Sequence, residues 1–255
     1  MLKAELMDLT VLILAKHEAE NLQRLLPAVH RVLEGRGLVY DILVVTDPSD
    51  TETGEVSRRC GARVMAQQGP GYGSAFREGM AGTSGRFVAA IDADLSHDPE
   101  VIVQLWAAKE DAGLVIASRY TRGGRATMPL SRQVLSRLLN AMVRHGLSLH
   151  VRDVSSGFRL YRREAVNAAA LRARHFDILE EVLIHILAAG WTVKEIPFHY
   201  QPRVHGRSKA RLLVFGWSFL RSFIRMRQLR HSAAAPRSAR STTDVPAQEL
   251  RERNR

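Results

Sequence analysis

Apolar and polar residues alternate in blocks along most of the chain, and the block lengths separate strands from helices. Short runs rich in β-branched residues are too brief for helices and too apolar for surface loops: "LTVLILA" at 9–15, "DILVVT" at 41–46, "ARVMAQ" at 62–67, "RFVAAID" at 86–92 and "GLVIASR" at 113–119. Between them, apolar residues three and four apart predict helices over 18–33, 51–59, 74–82 and 99–112. Strand and helix in such alternation predict an α/β protein with a mostly parallel sheet and crossover helices. Ligands of such sheets gather at the carboxyl ends of the strands. Those ends carry Ala15-Lys16-His17-Glu18, Thr46-Asp47, a glycine loop, Asp92-Ala93-Asp94 and Ser118-Arg119.

The pattern changes in the second half. A helix is predicted over 130–149, followed by "SSGFRLYRREAV" at 155–166, a helix around 180–189 and the strand-like "WTVKEIPFHY" at 191–200. In "RLLVFGWSFLRSFIRMRQLR", Leu213, Trp217, Leu220 and Phe223 or Ile224 recur at helical spacing, while Ser218, Arg221, Ser222 and Arg225 fall on another side. That is the pattern of a basic amphipathic helix lying in a membrane interface. From His231 onward apolar periodicity stops, and a composition rich in Arg, Ser, Ala and Pro predicts a disordered tail.

Composition narrows the function classes. Lys and Arg number 37 against 26 Asp and Glu, a net charge of +11 that points to an anionic partner: nucleic acid, a phosphorylated ligand or a membrane surface. The basic residues are not interleaved with stacking aromatics, which counts against nucleic acid. The single cysteine, Cys60, excludes an internal disulfide and a cysteine-rich zinc site and favours a reducing compartment. No window holds the roughly eighteen consecutive apolar residues of a spanning helix, so bilayer contact is expected to be peripheral. The apolar stretch at 9–15 follows acids and lacks a small-residue cleavage site, and reads as a first strand rather than a leader.

The chemistry concentrates in "VAAIDADLSHDPE". Desolvating an unpaired carboxylate costs several kcal/mol, so Asp92 and Asp94 at the end of a buried strand call for a cation. Side chains two apart on a strand share a face, and two carboxylates there suit Mg²⁺ or Mn²⁺ completed by diphosphate oxygens and water. Helix capping accounts for Asp98 beside Pro99 but not for Asp92 or Asp94. His97 reads as a local hydrogen-bonding residue rather than a ligand. In "QQGPGYGSAFREG", Gly71 and Gly73 sit between strand and helix, where backbone N–H groups can approach a phosphate; a plain turn explains them equally well. Arg119, Arg132 with Ser136 one turn later, and Arg203, Arg207, Ser208 and Lys209 lie beside turns or strand ends, where several can meet one phosphate.

Taken in order, "LAKHEAENL", "DILVVTDPSDTETG", "GPGYGSAFREGMAGTSGRFVAAIDADLSHDPE", "ASRYTRGG", "LSRLLNAMVR", "DVSSGFRLYRRE" and "VKEIPFHYQPRVHGRSK" resemble a family 2 glycosyltransferase, nearest to the polyprenyl (dolichyl) phosphate mannose or glucose synthases. The resemblance spans roughly residues 9–209. It implies a glycosyltransferase-A catalytic domain over 1–209, an amphipathic interface helix over 210–230 and a basic tail over 231–255. It further implies inverting transfer of a hexose from a nucleotide sugar of the GDP-mannose or UDP-glucose class to a polyprenyl phosphate, on the cytoplasmic face of a membrane. A small membrane-anchoring partner fits the same picture.

By the resemblance, Asp92, Asp94 and Ser96 adjoin the metal. Ala15, Glu18, Thr46, Asp47, Gly71, Gly73, Asp92 and Ala93 face the nucleotide sugar. Arg119, Arg132 and Ser136 meet the acceptor or donor phosphates, with Asp94, Arg119 and Arg132 nearest the chemistry, and Arg203, Ser208 and Lys209 belong to a closing loop. Two departures stand out: relatives commonly read Pro-Thr-Tyr-Asn-Glu where this chain has Leu14-Ala15-Lys16-His17-Glu18, and two aspartates where it has Thr46-Asp47. A phosphate acceptor loses its second proton near neutral pH and needs no strong base. A hydroxyl acceptor, on a glycan, small molecule or protein, would need one, and Asp153, Glu180 and Glu181 are the carboxylates available for it.

Overall fold

The computed structural model of the protein describes residues 7–201 and 227–228. Within residues 7–201, nine strands and six α-helices follow in the order β1 (Leu9–Ala15), α1 (Ala19–Leu33), β2 (Tyr40–Thr46), α2 (Thr51–Arg59), β3 (Arg63–Ala66), α3 (Tyr72–Gly82), β4 (Phe87–Asp92), α4 (Glu100–Ala107), β5 (Ala112–Ser118), β6 (Arg125–Ala126), α5 (Leu130–Gly146), β7 (Arg159–Arg162), α6 (Ile178–Ala188), β8 (Thr192–Pro197) and β9 (His199–Tyr200). Seven strands form one sheet in the order β3-β2-β1-β4-β7-β5-β8, and β6 pairs with β9 in a small second sheet.

Each central strand is apolar on both faces because each face meets a helix layer. In β1, Leu9, Val11 and Ile13 pack into one core with Leu22, Leu25, Leu26 and Val29 of α1 and Ile102 and Leu105 of α4. Leu12 points the other way, to Phe76 and Met80 of α3. The alternation repeats in β4, with Phe87, Ala89 and Ile91 on the first face and Val88 and Ala90 on the second. Burying side chains of this size stabilises the fold by about 1.5–3 kcal/mol each.

One strand direction is new to the sequence reading, and two expectations are revised. The strand within 155–166 is antiparallel: β7 lies between β4 and β5, pairing Leu160 with both Ala89 and Val115. The helix expected to run to residue 112 stops at Ala107, because Ala112 opens β5 and Asp111 takes a positive φ of 56° in the turn between them. The run 191–200 divides, with β8 beside β5 in the main sheet and β9 beside β6 over the carboxyl end. Among the described residues no helix is long and apolar enough to cross a membrane.

Candidate active site

The last residue of β4 is Asp92, and the chain turns at once through Ala93, Asp94 and Leu95, whose φ is +62°. Asp94 is buried, and its Oδ1 accepts from the Ser96 amide at 3.1 Å and the Ser96 hydroxyl at 2.5 Å. Ser96 thus serves the carboxylate directly. His97 is buried against the Phe158 ring, with centroids 4.8 Å apart, and its Nδ1 accepts the Asp92 amide at 3.1 Å. Its Nε2 lies 3.6 Å from Asp92 Oδ2, so the ring steadies both ends of Asp92. The side chain of Asp92 is 37% exposed, and a Cβ at Gly157 would stand 3.4 Å from its Oδ1. A side chain there would crowd the open face of that carboxylate.

A cavity of about 190 Å³ opens beside Asp92. It is lined also by Arg119, Arg132 and Ser136, by Ser155, Ser156 and Gly157, and by His97, Met128, Phe198 and Tyr200. Four of the residues singled out from sequence, Asp92, Arg119, Arg132 and Ser136, therefore share one space, although 44 positions separate the first from the last. Arg119 follows β5, and its guanidinium forks onto Asp153, with Nε at 2.8 Å from Oδ2 and Nη2 at 2.7 Å from Oδ1. Burial works against that charge, yet the bonds to Asp153 outweigh it and raise the arginine above its ordinary pKa. Nη2 also reaches the Ser155 hydroxyl at 2.8 Å. Arg132 sits exposed in the first turn of α5, and Ser136 one turn on accepts from the Tyr120 hydroxyl at 2.7 Å.

Under this cavity runs a loop, residues 152–157, held by side chains that the sequence reading missed. Glu195 of β8 accepts the amides of Arg152 and Asp153 at 2.9 and 3.0 Å. Asn140 of α5 accepts the amides of Val154 and Ser155 at 2.8 and 3.3 Å. Arg159, wholly buried in β7, donates to the carbonyls of Ser156, Val154 and Leu179 at 2.6, 2.6 and 2.7 Å. The sequence does carry one signal for Asn140: Arg132, Ser136 and Asn140 are spaced by four, on one helical face.

The strand ends on the β1–β2 side make their own partnerships and do not line the cavity. Lys16 places its ammonium 2.8 Å from Asp47, so the residue that departs from the family pattern is an ion-pair partner. That bond, with the hydroxyl and amide of Ser49, holds the Asp47 carboxyl well below the usual carboxylate range. Thr46 is buried and donates to Asp50 at 3.4 Å, Glu18 accepts from Asn21 at 2.6 Å, and Ala15 and Ala93 are buried. The glycine loop is shaped by the segment 171–175. Gly71 has a φ of +90°, and a Cβ there would stand 2.5 Å from the Arg174 carbonyl. The Gly73 amide donates to that same carbonyl at 3.0 Å.

The three carboxylates available as a base for a hydroxyl acceptor lie outside the cavity lining. Asp153 has no exposed surface and is taken by Arg119. Glu181 accepts the amides of Arg172 and Ala173 at 2.9 and 2.8 Å. Glu180 is buried with Oε2 unpartnered by any hydrogen bond, and burial, partly countered by Arg159, pushes its pKa up to about 7.

Among the described residues no three His, Cys, Asp or Glu side chains cluster as a metal site. Asp92 and Asp94 fit a hard divalent ion in the sense that such ions bind through one or two carboxylates and complete their shell with substrate phosphate and water. Arg203, Ser208 and Lys209, the tail over 231–255 and the helix expected over 210–230, save Arg227 and Gln228, lie outside the described residues. Those two are helical and exposed.

The sequence profile of glycosyl transferase family 2 matches residues 10–169. A dolichol-phosphate mannosyltransferase of Pyrococcus furiosus is 33% identical over 212 residues, covering 80% of this chain and 59% of that protein, so the chain spans less than two thirds of that relative. An uncharacterized glycosyltransferase of Mycobacterium bovis is 31% identical over 78% of this chain and 88% of its own length. Among solved structures, glucosyl-3-phosphoglycerate synthase of Mycobacterium tuberculosis, in complex with Mn²⁺, UDP and glucosyl-3-phosphoglycerate, superposes with a TM-score of 0.64 at 22% identity, over 88% of this chain and 79% of that one. The same enzyme with Mn²⁺ and UDP-glucose gives a TM-score of 0.65 at 19% identity, over 87% and 79% of the two chains. At such identities the likeness speaks for the fold. With the profile spanning well over half of the chain and its sheet matching these structures, the protein belongs to glycosyl transferase family 2 and has the glycosyltransferase-A fold.

Proposed function

We propose that this glycosyltransferase moves a hexose from a nucleotide sugar of the GDP-mannose or UDP-glucose class to a polyprenyl phosphate at the cytoplasmic surface of a membrane. The observation that carries the reading is what surrounds the cavity. Asp92 shares the cavity with Arg119, Arg132 and the side chains of Ser136, Ser155 and Ser156, and among the described residues no further carboxylate lines it. That set suits an acceptor that arrives as an anion and needs no base. The dolichol-phosphate mannosyltransferase relative supports a lipid phosphate, and the UDP-glucose-bound structural neighbour supports a nucleotide sugar.

The helix beside the cavity adds a second support. Along α5, Leu130, Val134 and Leu138 are 73%, 57% and 64% exposed, and Leu135, Leu139 and Met142 are exposed too. Small soluble acceptors give no reason for an uncovered apolar face on the helix that carries Arg132 and Ser136. An isoprenoid phosphate in a bilayer does. Peripheral docking through α5, aided by the basic segment 210–230 or by a small membrane partner, would bring the cavity to the headgroup plane.

In the reaction a phosphate oxygen of the acceptor attacks the anomeric carbon from the side opposite the nucleotide. The new C–O bond forms as the bond to the diphosphate breaks, so the sugar is inverted and the electron pair leaves on the diphosphate. Arg132, with Arg119 braced by Asp153, orients the attacking phosphate, and that alignment is the main task of the site. A divalent ion held by Asp92 and Asp94, Mg²⁺ or Mn²⁺, would supply charge neutralisation for the departing diphosphate.

A second reading, transfer to a hydroxyl, would call on Glu180, which lies outside the cavity lining but whose carboxyl burial pushes up to about 7, the range of a general base. Incubation with Mn²⁺, a panel of nucleotide sugars and either polyprenyl phosphate or 3-phosphoglycerate, with mass analysis of both products, separates the two. A glycosylated prenyl phosphate is expected. A product on phosphoglycerate alone, abolished by Glu180→Gln, would establish the hydroxyl reading instead.

A further inference from the structure

Asn140 is 97% buried and uses its whole hydrogen-bonding capacity. Its Oδ1 accepts the amides of Val154 and Ser155, and its Nδ2 donates to the Ser136 carbonyl at 2.8 Å and the Ser155 hydroxyl at 2.9 Å. A buried asparagine with four good bonds is ordinary core stabilisation when its partners belong to one element. Here they belong to two elements on either side of the cavity, since Ser136 and Ser155 both line it and Asn140 does not.

The setting makes that bridge consequential. Only Asn140 and Val143 of α5 are buried, so apolar packing does little to fix the helix in register. The loop it meets is already rigid on its other sides, through Glu195 from β8 and Arg159 from β7. The same loop presents Asp153, which braces Arg119. One amide therefore joins a lightly held helix carrying Arg132 and Ser136 to a firmly held loop carrying Ser155 and, through Asp153, Arg119.

We infer that Asn140 is a positioning residue for the acceptor phosphate: it sets the spacing between the α5 side and the 153–157 side of the cavity without touching substrate. The inference rests on the acceptor reading above for its kinetic consequence, but not for its structural one. Removing the amide cuts the tie between α5 and the 153–157 loop and leaves Arg132 and Ser136 on a helix held by the weaker set of Ser136 to Tyr120 and Gln133 to Ala126. Acceptor binding then suffers, while the nucleotide side, built on β1, β2 and α3, is left alone.

The test compares full-length wild type with Asn140→Asp and Asn140→Ala. Asn140→Asp keeps side-chain volume and both acceptor roles, but turns a carboxylate toward the Ser136 carbonyl where an amide donated. With polyprenyl phosphate as acceptor, its KM should rise at least tenfold, with the KM for nucleotide sugar within twofold of wild type and binding of Mn²⁺ with UDP or GDP unchanged. Amide exchange, read without any substrate, should quicken at least tenfold at Val154 and Ser155, whose amides lose their acceptor in Asn140→Ala, and stay constant in β1 and β4. If wild type glycosylates prenyl phosphate and neither variant separates the two KM values, the inference falls and the acceptor reading stands. If wild type glycosylates no prenyl phosphate, that reading falls. Unchanged exchange would then overturn the positioning role as well, and quickened exchange confined to 153–157 and α5 would uphold it for whichever acceptor is used.

Discussion

Helices α1 and α5 have similar lengths and both are amphipathic, yet they are used in opposite ways. Eight residues of α1 are buried, and its leucines form much of one core against β1 and β4. In α5 two are buried, and six large apolar residues face outward. What holds α1 is area removed from water. What holds α5 is a short set of polar contacts: Asn140 to the 154–155 amides, Ser136 to Tyr120, and Gln133 to the Ala126 carbonyl. An apolar stripe in a sequence states that something will cover it, but not that the cover belongs to the same chain.

Truncation should expose the difference most strongly. Leu25→Ala in α1 removes a fully buried side chain and is expected to cost about 2–5 kcal/mol in chemical denaturation. Leu138→Ala in α5 should change stability by less than about 0.5 kcal/mol. Equal losses at the two sites would mean that the α5 face is covered within the folded chain.

A third helix sharpens the contrast, because α6 is buried with a carboxyl inside it. Glu180 is held near 7 in the folded protein against an ordinary value of 4.5. The unfolded chain therefore ionises first as pH rises. Stability from this group is intact below about 4.5, declines between there and about 7, and has lost about 3 kcal/mol above that. Glu180→Gln should be neutral at pH 4.5 and stabilising by up to that amount at pH 8, read by urea unfolding at both. The same change in stability at the two pH values would contradict the burial account.

Next comes function on the α5 side. Arg132→Ala removes the charge-assisted contact proposed for the acceptor phosphate, and its loss is expected to cost about 1.5–3 kcal/mol in kcat/KM. The melting temperature should not move, since Arg132 is exposed. Kinetics identical to wild type would place the acceptor phosphate elsewhere.

The smallest effect concerns the outward face itself. Replacing Val134 and Leu138 together by serine should weaken co-sedimentation with anionic vesicles about tenfold, an expectation set by about 0.8 kcal/mol per buried methylene and by incomplete insertion. Wild-type sedimentation of the double variant would shift docking to another surface, with residues 210–230 the next to alter.

Much of this was legible in the sequence, for physical reasons that differ by region. The first five strands of the sheet were readable because each is a short, largely apolar run bounded by a turn. The gathering of Asp92, Arg119, Arg132 and Ser136 followed from strand-end logic and the family resemblance. The antiparallel direction of β7 was not readable, since four residues, two of them arginines, carry no pattern that tells one direction from the other. Nor were Glu195 and Arg159, whose partners are backbone groups of the 152–156 loop and of Leu179 that no side-chain pattern announces. Lys16 stood out as a departure, but its ion pair with Asp47 needed the β1–β2 register to bring the two ends together.

The central claim is that the acceptor is a lipid phosphate, and release of nucleoside diphosphate measures it directly. UDP-glucose and GDP-mannose are each supplied with Mn²⁺ and vesicles, either bare or carrying polyprenyl phosphate, or with bare vesicles and 3-phosphoglycerate in solution. Release from one of the donors is expected only with the prenyl phosphate vesicles, and should fall on replacing Arg132 or the exposed residues of α5. Equal release with phosphoglycerate, or release indifferent to the prenyl phosphate, would contradict the assignment.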